Sequence, residues 1–395
     1  MAFSSTMNRL AAILLALVLA ATAAAAEVRT VKIAYLNRAG DPFYAHRESY
    51  GGIYDATRQS AISGAELGVK DAKIVGRAIE VTFELLRETV PEGAAEADFV
   101  KELVQRENPW AIILDLPASD VETVAILFGQ DGAALFNIRH RSSDLRQKTC
   151  QTNLFHVIAS DAMLTDSLTQ YLKFVGWDEV LVLTSNSPTD LAEAQLFQTS
   201  AQKYGLTIAD VRQFVQGNDP RQRDLNSVRL LTGGIDYDAV FVADETREFA
   251  RLLPYRTVSP RPVLGAAGLS PLAWHWQWER NGAPQLNRRF FKLAGRVMTE
   301  EDWAAWVAVK SVVEAHVRAG SSSGPLVREL LKPDFNLELY KGYPGSFRPW
   351  DRQLRQSILL ATVDTVVALA PVEGALHQFN NLDTLGLDEP EFICP

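Results

Sequence analysis

Short apolar runs alternate with stretches of helical period along most of the chain. Residues 31–36 (VKIAYL), 79–85, 111–114 (AIIL) and 133–137 read as strands, and residues 54–70, 94–107 and 119–130 as the amphipathic helices between them. The strands lack the polar alternation of a half-exposed antiparallel strand. They fit a parallel sheet covered on both faces and joined by right-handed crossovers. A second series of the same kind follows residues 155–158 (FHVI): a helix over 161–175, a strand over 180–183, a helix over 189–204, and strands over 239–242 and 262–265 around a short helical stretch at 245–253. A long helix is predicted over 300–319, with Trp303, Trp306, Val307, Val313 and Val317 near helical spacing as core, and a short one over 325–331. In 346–370 a Pro349-Trp350-Asp351 turn is flanked by strand-like runs, notably 358–363, which suggests an antiparallel hairpin. The expected fold class is α/β with two lobes, each a parallel sheet flanked by helices.

Composition sets the address. Arg9, an apolar run over 10–19 and small residues up to Ala26 have the form of a secretory signal peptide, residues 1–26. The apolar core is too short to span a bilayer and no Cys follows the expected cut, so a lipid-anchored product is not expected. The expected location is the periplasm. The chain carries 39 basic and 48 acidic residues; without residues 1–26, which hold only Arg9, these become 38 and 48, a net of −10. That disfavours nucleic acid as a partner. Cys150 and Cys394 are the two cysteines of an exported chain, and a single disulfide between them is expected.

Enzyme signatures are missing. There is no CxxC, HExxH, GxxxxGK[ST] or post-strand GxGxxG, hence no case for a metal site, a P-loop or a dinucleotide fold. Gly320-Ser-Ser-Ser-Gly324 matches GxSxG, but it follows a helix rather than a strand and reads as a linker. No catalytic residue and no required cofactor is expected. Charge recurs instead at the C-terminal ends of predicted strands, where open α/β sheets present ligand-binding groups. Arg38 and Asp41 follow the first strand, Asp115 the 111–114 strand, Arg139 and Arg141 the 133–137 strand, and Asp244 the 239–242 strand. Arginine forks suit carboxylates, although surface pairing explains them equally well. The stretch 273–280, AWHWQWER, sets Trp274, Trp276 and Trp278 at alternate positions. Core packing and an aromatic wall for a flat ligand are both open to it, with Trp274 and Trp276 the expected contacts and Trp278 the expected core residue.

The opening VKIAYLNR, the lobe switch near NLFHVIASDAMLTDSLTQYL, the return near GAAGLSPLAWHWQWERNGAPQLNRRF and the late YKGYPGSFRPWDRQLRQSILL resemble the type I periplasmic solute-binding proteins of ABC importers, in the branch of the branched-chain amino-acid receptors. The last three look like a subgroup associated with quinoprotein alcohol-dehydrogenase systems. The resemblance implies two lobes, 27–155 plus 269–340 and 156–268 plus 341–395, a ligand cleft between them, an ABC permease as partner, and a monomer. It further implies pyrroloquinoline quinone (PQQ) as the bound ligand, held by Arg38, Asp115, Arg139, Arg141, Asp244, Trp274 and Trp276. One departure stands out: amino-acid receptors place small hydroxyl residues and backbone amides after the strands of the first lobe, whereas no comparable Ser/Thr run follows 111–114 here, where Asp115-Leu116-Pro117-Ala118-Ser119 stands. The same fold for another small acidic or aromatic solute, and an accessory or sensor protein of a dehydrogenase system, are the alternatives.

Overall fold

The structure, a computed structural model, describes residues 29–45, 47–50, 54–128, 133–148, 151–216, 220–319 and 326–393. The predicted signal peptide, Cys150, Cys394 and the GxSxG run lie outside them.

β1 (Arg29–Arg38), β2 (Val81–Val90), β3 (Ala111–Asp115), β4 (Ala134–Asn137) and β5 (Leu154–His156) form one sheet in the order β2-β1-β3-β4-β5, parallel throughout. Every residue of β3 and β4 is buried, which is why these strands are apolar at successive rather than alternate positions. Parallel neighbours need crossovers, and α1 (Ile62–Ala78), α2 (Glu96–Glu107) and α3 (Ala118–Phe128) supply them. After α4 (Asp161–Val175) the plan repeats: β6 (Glu179–Thr184), α5 (Pro188–Lys203), β7 (Thr207–Gln213), β8 (Ala239–Ala243) and β9 (Val263–Gly265) give a parallel sheet of order β9-β8-β6-β7. Strand order therefore reverses between β1 and β3 in one lobe and between β6 and β8 in the other.

Four expectations shift. Residues 54–57 pair with 47–50 as a hairpin, so the helix placed at 54–70 begins only at Ile62 and runs to Ala78. Its small-residue stripe, Ala65, Gly68, Ala72 and Gly76, continues past Lys70 at helical spacing. β7 has no apolar run because it is a mostly exposed edge strand. The 245–253 stretch becomes a turn followed by a 3₁₀ helix, Ala250–Tyr255, with Pro254 inside it. The late hairpin is β11 (Ile358–Ala361) with β12 (Val366–Ala370), turning at 362–365; the 349–351 turn is closed by a single Phe347–Leu354 bridge.

Three segments cross between the lobes: 156–160, 266–273 and 341–357. The second includes the short strand β10 (Ser270–Leu272), which pairs with β11. Buried amides and one lysine tie them together. Gln353 Nε2 donates to the carbonyls of His156 (3.1 Å) and Ile158 (3.0 Å), and Gln356 Nε2 to that of Val157 (2.8 Å). Lys341 Nζ donates to Ala273 O (2.8 Å) and Gln356 Oε1 (2.7 Å). Backbone carbonyls that extended crossovers would leave unpaired are thereby satisfied.

The return segment supplies α6 (Ala283–Ala294) and α7 (Glu300–Ala319), both packed on α1. α1 and α7 approach closely because glycines face the contact: a Cβ at Gly64 would overlap the Asp302 carbonyl, and one at Gly68 would stand 2.7 Å from Val309 Cβ. Helix propensity alone would make Gly64→Ala stabilising by about 1 kcal/mol. Overpacking outweighs it, so Gly64→Ala is expected to destabilise the protein by about 1–3 kcal/mol in urea unfolding; an unchanged or higher midpoint would contradict this packing.

Candidate functional site

In an open parallel sheet the groups that can meet a ligand lie beyond the strand C-termini, at the point where strand order reverses. In the first lobe that point is occupied by Asp115, fully buried at the end of β3. It accepts from Tyr35 Oη on the neighbouring β1 (2.5 Å), from Tyr44 Oη, and from Arg139 Nη1 (3.3 Å). Burial raises its pKa, while Arg139 and the two tyrosines pull the other way. Both phenols are pushed up in turn, by burial first and then by Asp115.

Arg139 is itself buried, with Asp41 Oδ2 at 2.8 Å from Nη1. The Phe43 ring covers it, with the guanidinium carbon 4.5 Å from the ring centre; Arg58 lies equally close to that ring, at 4.5 Å. Asn137, the last residue of β4, fixes the approach by accepting from the backbone N–H groups of Arg139 (3.1 Å) and His140 (2.9 Å). His140 is pulled down to about 4 by burial and then by Arg139. Arg141 pairs with Glu300 (3.1 Å) at the start of α7 and donates to the Ala159 carbonyl (3.3 Å). Burial works against the Arg141 charge, but Glu300, Glu301 and Asp161 outweigh it and hold the guanidinium protonated.

The remaining expected site residues do other work. Arg38 is a clamp: it reaches Asp120 (2.5 Å), Glu96 (2.9 Å) and the Ala94 carbonyl (3.2 Å), fastening the first turns of α2 and α3 to β1. Asp244 is buried and accepts from Thr246 Oγ1 (2.7 Å) and from the N–H groups of Phe249 (3.0 Å) and Ala250 (2.9 Å), which starts the 3₁₀ helix. The tryptophan stretch is neither strand nor helix. A turn at 276–277 leaves Trp276 40% exposed while Trp274 and Trp278 are buried. Trp274 stacks on Trp303 with ring centres 5.9 Å apart, and its N–H is taken by Asn287 (3.1 Å). Trp278 donates to the Tyr340 carbonyl (2.9 Å), a core position as expected. Of the seven expected ligand residues, the structure brings together Asp115 and Arg139, with Arg141 nearby.

Sequence reasoning missed Tyr35, Phe43, Tyr44, Glu301 and Lys341 as site residues. Tyr35 is one of many buried apolar positions in β1, and nothing in the order of residues marks it. Glu301 is half-buried at the first turn of α7, electrostatically beside Tyr44, Asp115 and Arg141, and makes no hydrogen bond or ion pair among the described residues. Lys341 is fully buried, with its ammonium position 3.9 Å from the centre of the Trp303 ring, and burial lowers its pKa well below the usual lysine range against the pull of Glu300.

The second lobe presents acids to the same region. Asp190 accepts from Ser185 Oγ (2.5 Å), Gln216 Nε2 (3.0 Å) and the Glu245 N–H (2.8 Å), locking the ends of β6 and β8. Glu193, one turn further along α5, is pushed up to about 7 by burial, then by Asp161 and Asp190, with Arg247 opposing. Asp161 begins α4 and donates its N–H to the Arg141 carbonyl (3.1 Å), so it links the two faces. Among the described residues no group of three or more His, Cys, Asp or Glu side chains could hold a metal ion.

Residues 48–228 match the family model described as Periplasmic binding protein. No curated protein matches the chain. Solved structures share the fold. A branched-chain amino acid ABC transporter periplasmic ligand-binding protein from Burkholderia xenovorans superposes with a TM-score of 0.65 at 12% identity, covering 86% of this chain and 95% of that one. An ABC transporter substrate-binding protein from Desulfitobacterium hafniense in complex with Leu gives 0.63 at 16% identity over 86% and 99%. An ABC transporter solute-binding protein from R. palustris in complex with benzoate gives 0.60 at 11% over 86% and 96%. The fold is the two-lobed periplasmic binding protein fold of type I.

Glu193 yields a pH test. A carboxyl whose folded pKa stands near 7, above the ordinary 4.5 of a free glutamate, favours the folded state while protonated; that contribution is complete below pH 4.5 and is lost as pH rises through 7. Glu193→Gln is therefore expected to flatten the stability-pH curve between about pH 5 and 8, gaining at most about 3 kcal/mol at the alkaline end. Urea unfolding at both ends checks this, and parallel curves for the two proteins would contradict it.

Proposed function

We propose that this chain is a periplasmic solute-binding protein of an ABC importer, which captures a small organic solute between its lobes and closes on it. The observation that carries this reading is the pairing of two strand-order reversal points across three crossovers, with Arg141 of one face and Glu193 of the other sharing Asp161 as neighbour. A solute touching both faces favours the closed arrangement by its differential affinity, and a membrane permease reads that state. No covalent step is required.

The charges argue for a neutral or amine-bearing solute. Each arginine that a tricarboxylate such as PQQ would need is occupied: Arg139 by Asp41 and Asp115, Arg141 by Glu300, Arg38 by Asp120 and Glu96. Displacing either partner of Arg139 would strand a buried carboxylate, which costs more than the new bond returns. Glu301, without an ion pair among the described residues, is the group to receive an ammonium, and the half-buried Tyr44 offers a ring to a flat apolar body. PQQ keeps one observation in its favour, the ring-guanidinium layering of Phe43 with Arg58 and Arg139, which a planar solute could extend.

Calorimetry with phenethylamine, leucine, benzoate and PQQ separates these readings. Saturable 1:1 heat is expected with phenethylamine and none with PQQ. Glu301→Gln should weaken the amine at least about tenfold, the size of one charge-assisted hydrogen bond. Tight PQQ binding with quenching of tryptophan emission would reverse the assignment of ligand class.

A further inference from the structure

The whole chain has 48 acids and 39 bases, yet one face of the second lobe reverses that sign. Between Arg247 and Arg261 the only acid is Glu248, set against arginines at 247, 251, 256 and 261. Arg229, on the short helix Val228–Thr232, adjoins this stretch, because Thr232 Oγ1 accepts from the Val258 N–H at 3.0 Å and Val258 packs beside Gly233. Arg229, Arg251, Arg256 and Arg261 are all exposed, and none makes an ion pair among the described residues.

Apolar side chains stand between these guanidiniums. Leu230 is 67% exposed, Leu252 42%, Tyr255 87% and Val258 53%. Leu252 and Tyr255 stand one 3₁₀ repeat apart on the helix Ala250–Tyr255, so they share one edge of it, and Val258 follows three residues past its end. The segment is held in shape from below by Asp244 on the Phe249 and Ala250 N–H groups, and by Pro254 within it. Little ordering entropy therefore remains to be lost on contact.

We propose that this face rests on an anionic phospholipid surface. Arginine heads reach phosphate while Leu230, Leu252 and Val258 enter the boundary between headgroups and chains, and Tyr255 spans that boundary with its ring inside and its hydroxyl outside. A bilayer is also the neighbour that import requires, and elsewhere the acidic surface is repelled by it, so this face sets the orientation of approach. Among the described residues no helix is long and apolar enough to cross a membrane, so this contact is peripheral.

Co-sedimentation of the full protein with vesicles tests this. Binding is expected to a one-to-two mixture of phosphatidylglycerol and phosphatidylethanolamine, not to phosphatidylcholine, and it should disappear at high salt. Each arginine replaced in Arg251→Gln and Arg256→Gln should lower the partition coefficient about fivefold. Leu252→Ser with Tyr255→Ser should lower it at unchanged charge, and Lys101→Gln, an exposed change elsewhere, should leave it unaltered. No binding to the anionic vesicles, or binding indifferent to these arginines, overturns the proposal. Binding to soluble polyglutamate but not to vesicles would also overturn it and assign the face to an acidic protein.

Discussion

Parallel pairing is the constraint from which the rest follows. A parallel strand cannot turn directly into its neighbour, so each strand of the two main sheets is followed by a crossover, and all C-termini of a sheet point the same way. Strand order reverses once in each sheet, which opens one crevice per lobe without any residue being dedicated to making it. Three crossovers then hold the crevices near each other. The buried polar groups of the third, Gln353, Gln356 and Lys341, satisfy backbone carbonyls on the other two. Such a joint keeps the three segments together, because separating them would leave buried carbonyls unpaired.

A second constraint bears on which solute the proposed cleft would take. Guanidinium cannot shed its proton when buried, so Arg139 needs anions in place before any solute arrives. Asp41 and Asp115 meet that need, and Tyr35 and Tyr44 complete the shell of Asp115. The group most easily mistaken for a carboxylate receptor is thus a closed polar cluster. Under the amine reading proposed above, what remains to meet a solute is the half-buried Tyr44 ring and Glu301.

The fold was largely legible because parallel strands advertise themselves as unbroken apolar runs, as in AIIL at β3. It was least legible where burial does not dictate residue type: β7 on the edge, and the paired strands 47–50 and 54–57, the second of which falls where a helix start was expected. At the site, the strand-end rule found Asp115 and Arg139, since topology places them. It could not show that they pair with each other, because that depends on Asp41 and Tyr44 returning from a different loop. Alternating tryptophans suggested a shared face, yet the turn at 276–277 sends Trp274 and Trp278 into the core and Trp276 outward. Tryptophan spacing speaks to a surface only once the backbone conformation is known.

Native mass spectrometry on the protein purified from its source cells puts the central claim to the most direct test. The account predicts a 1:1 complex with one small organic solute, neutral or carrying an amine, that is lost on unfolding and refolding. A bound tricarboxylate such as PQQ, or a chain that never carries a small molecule, would contradict it.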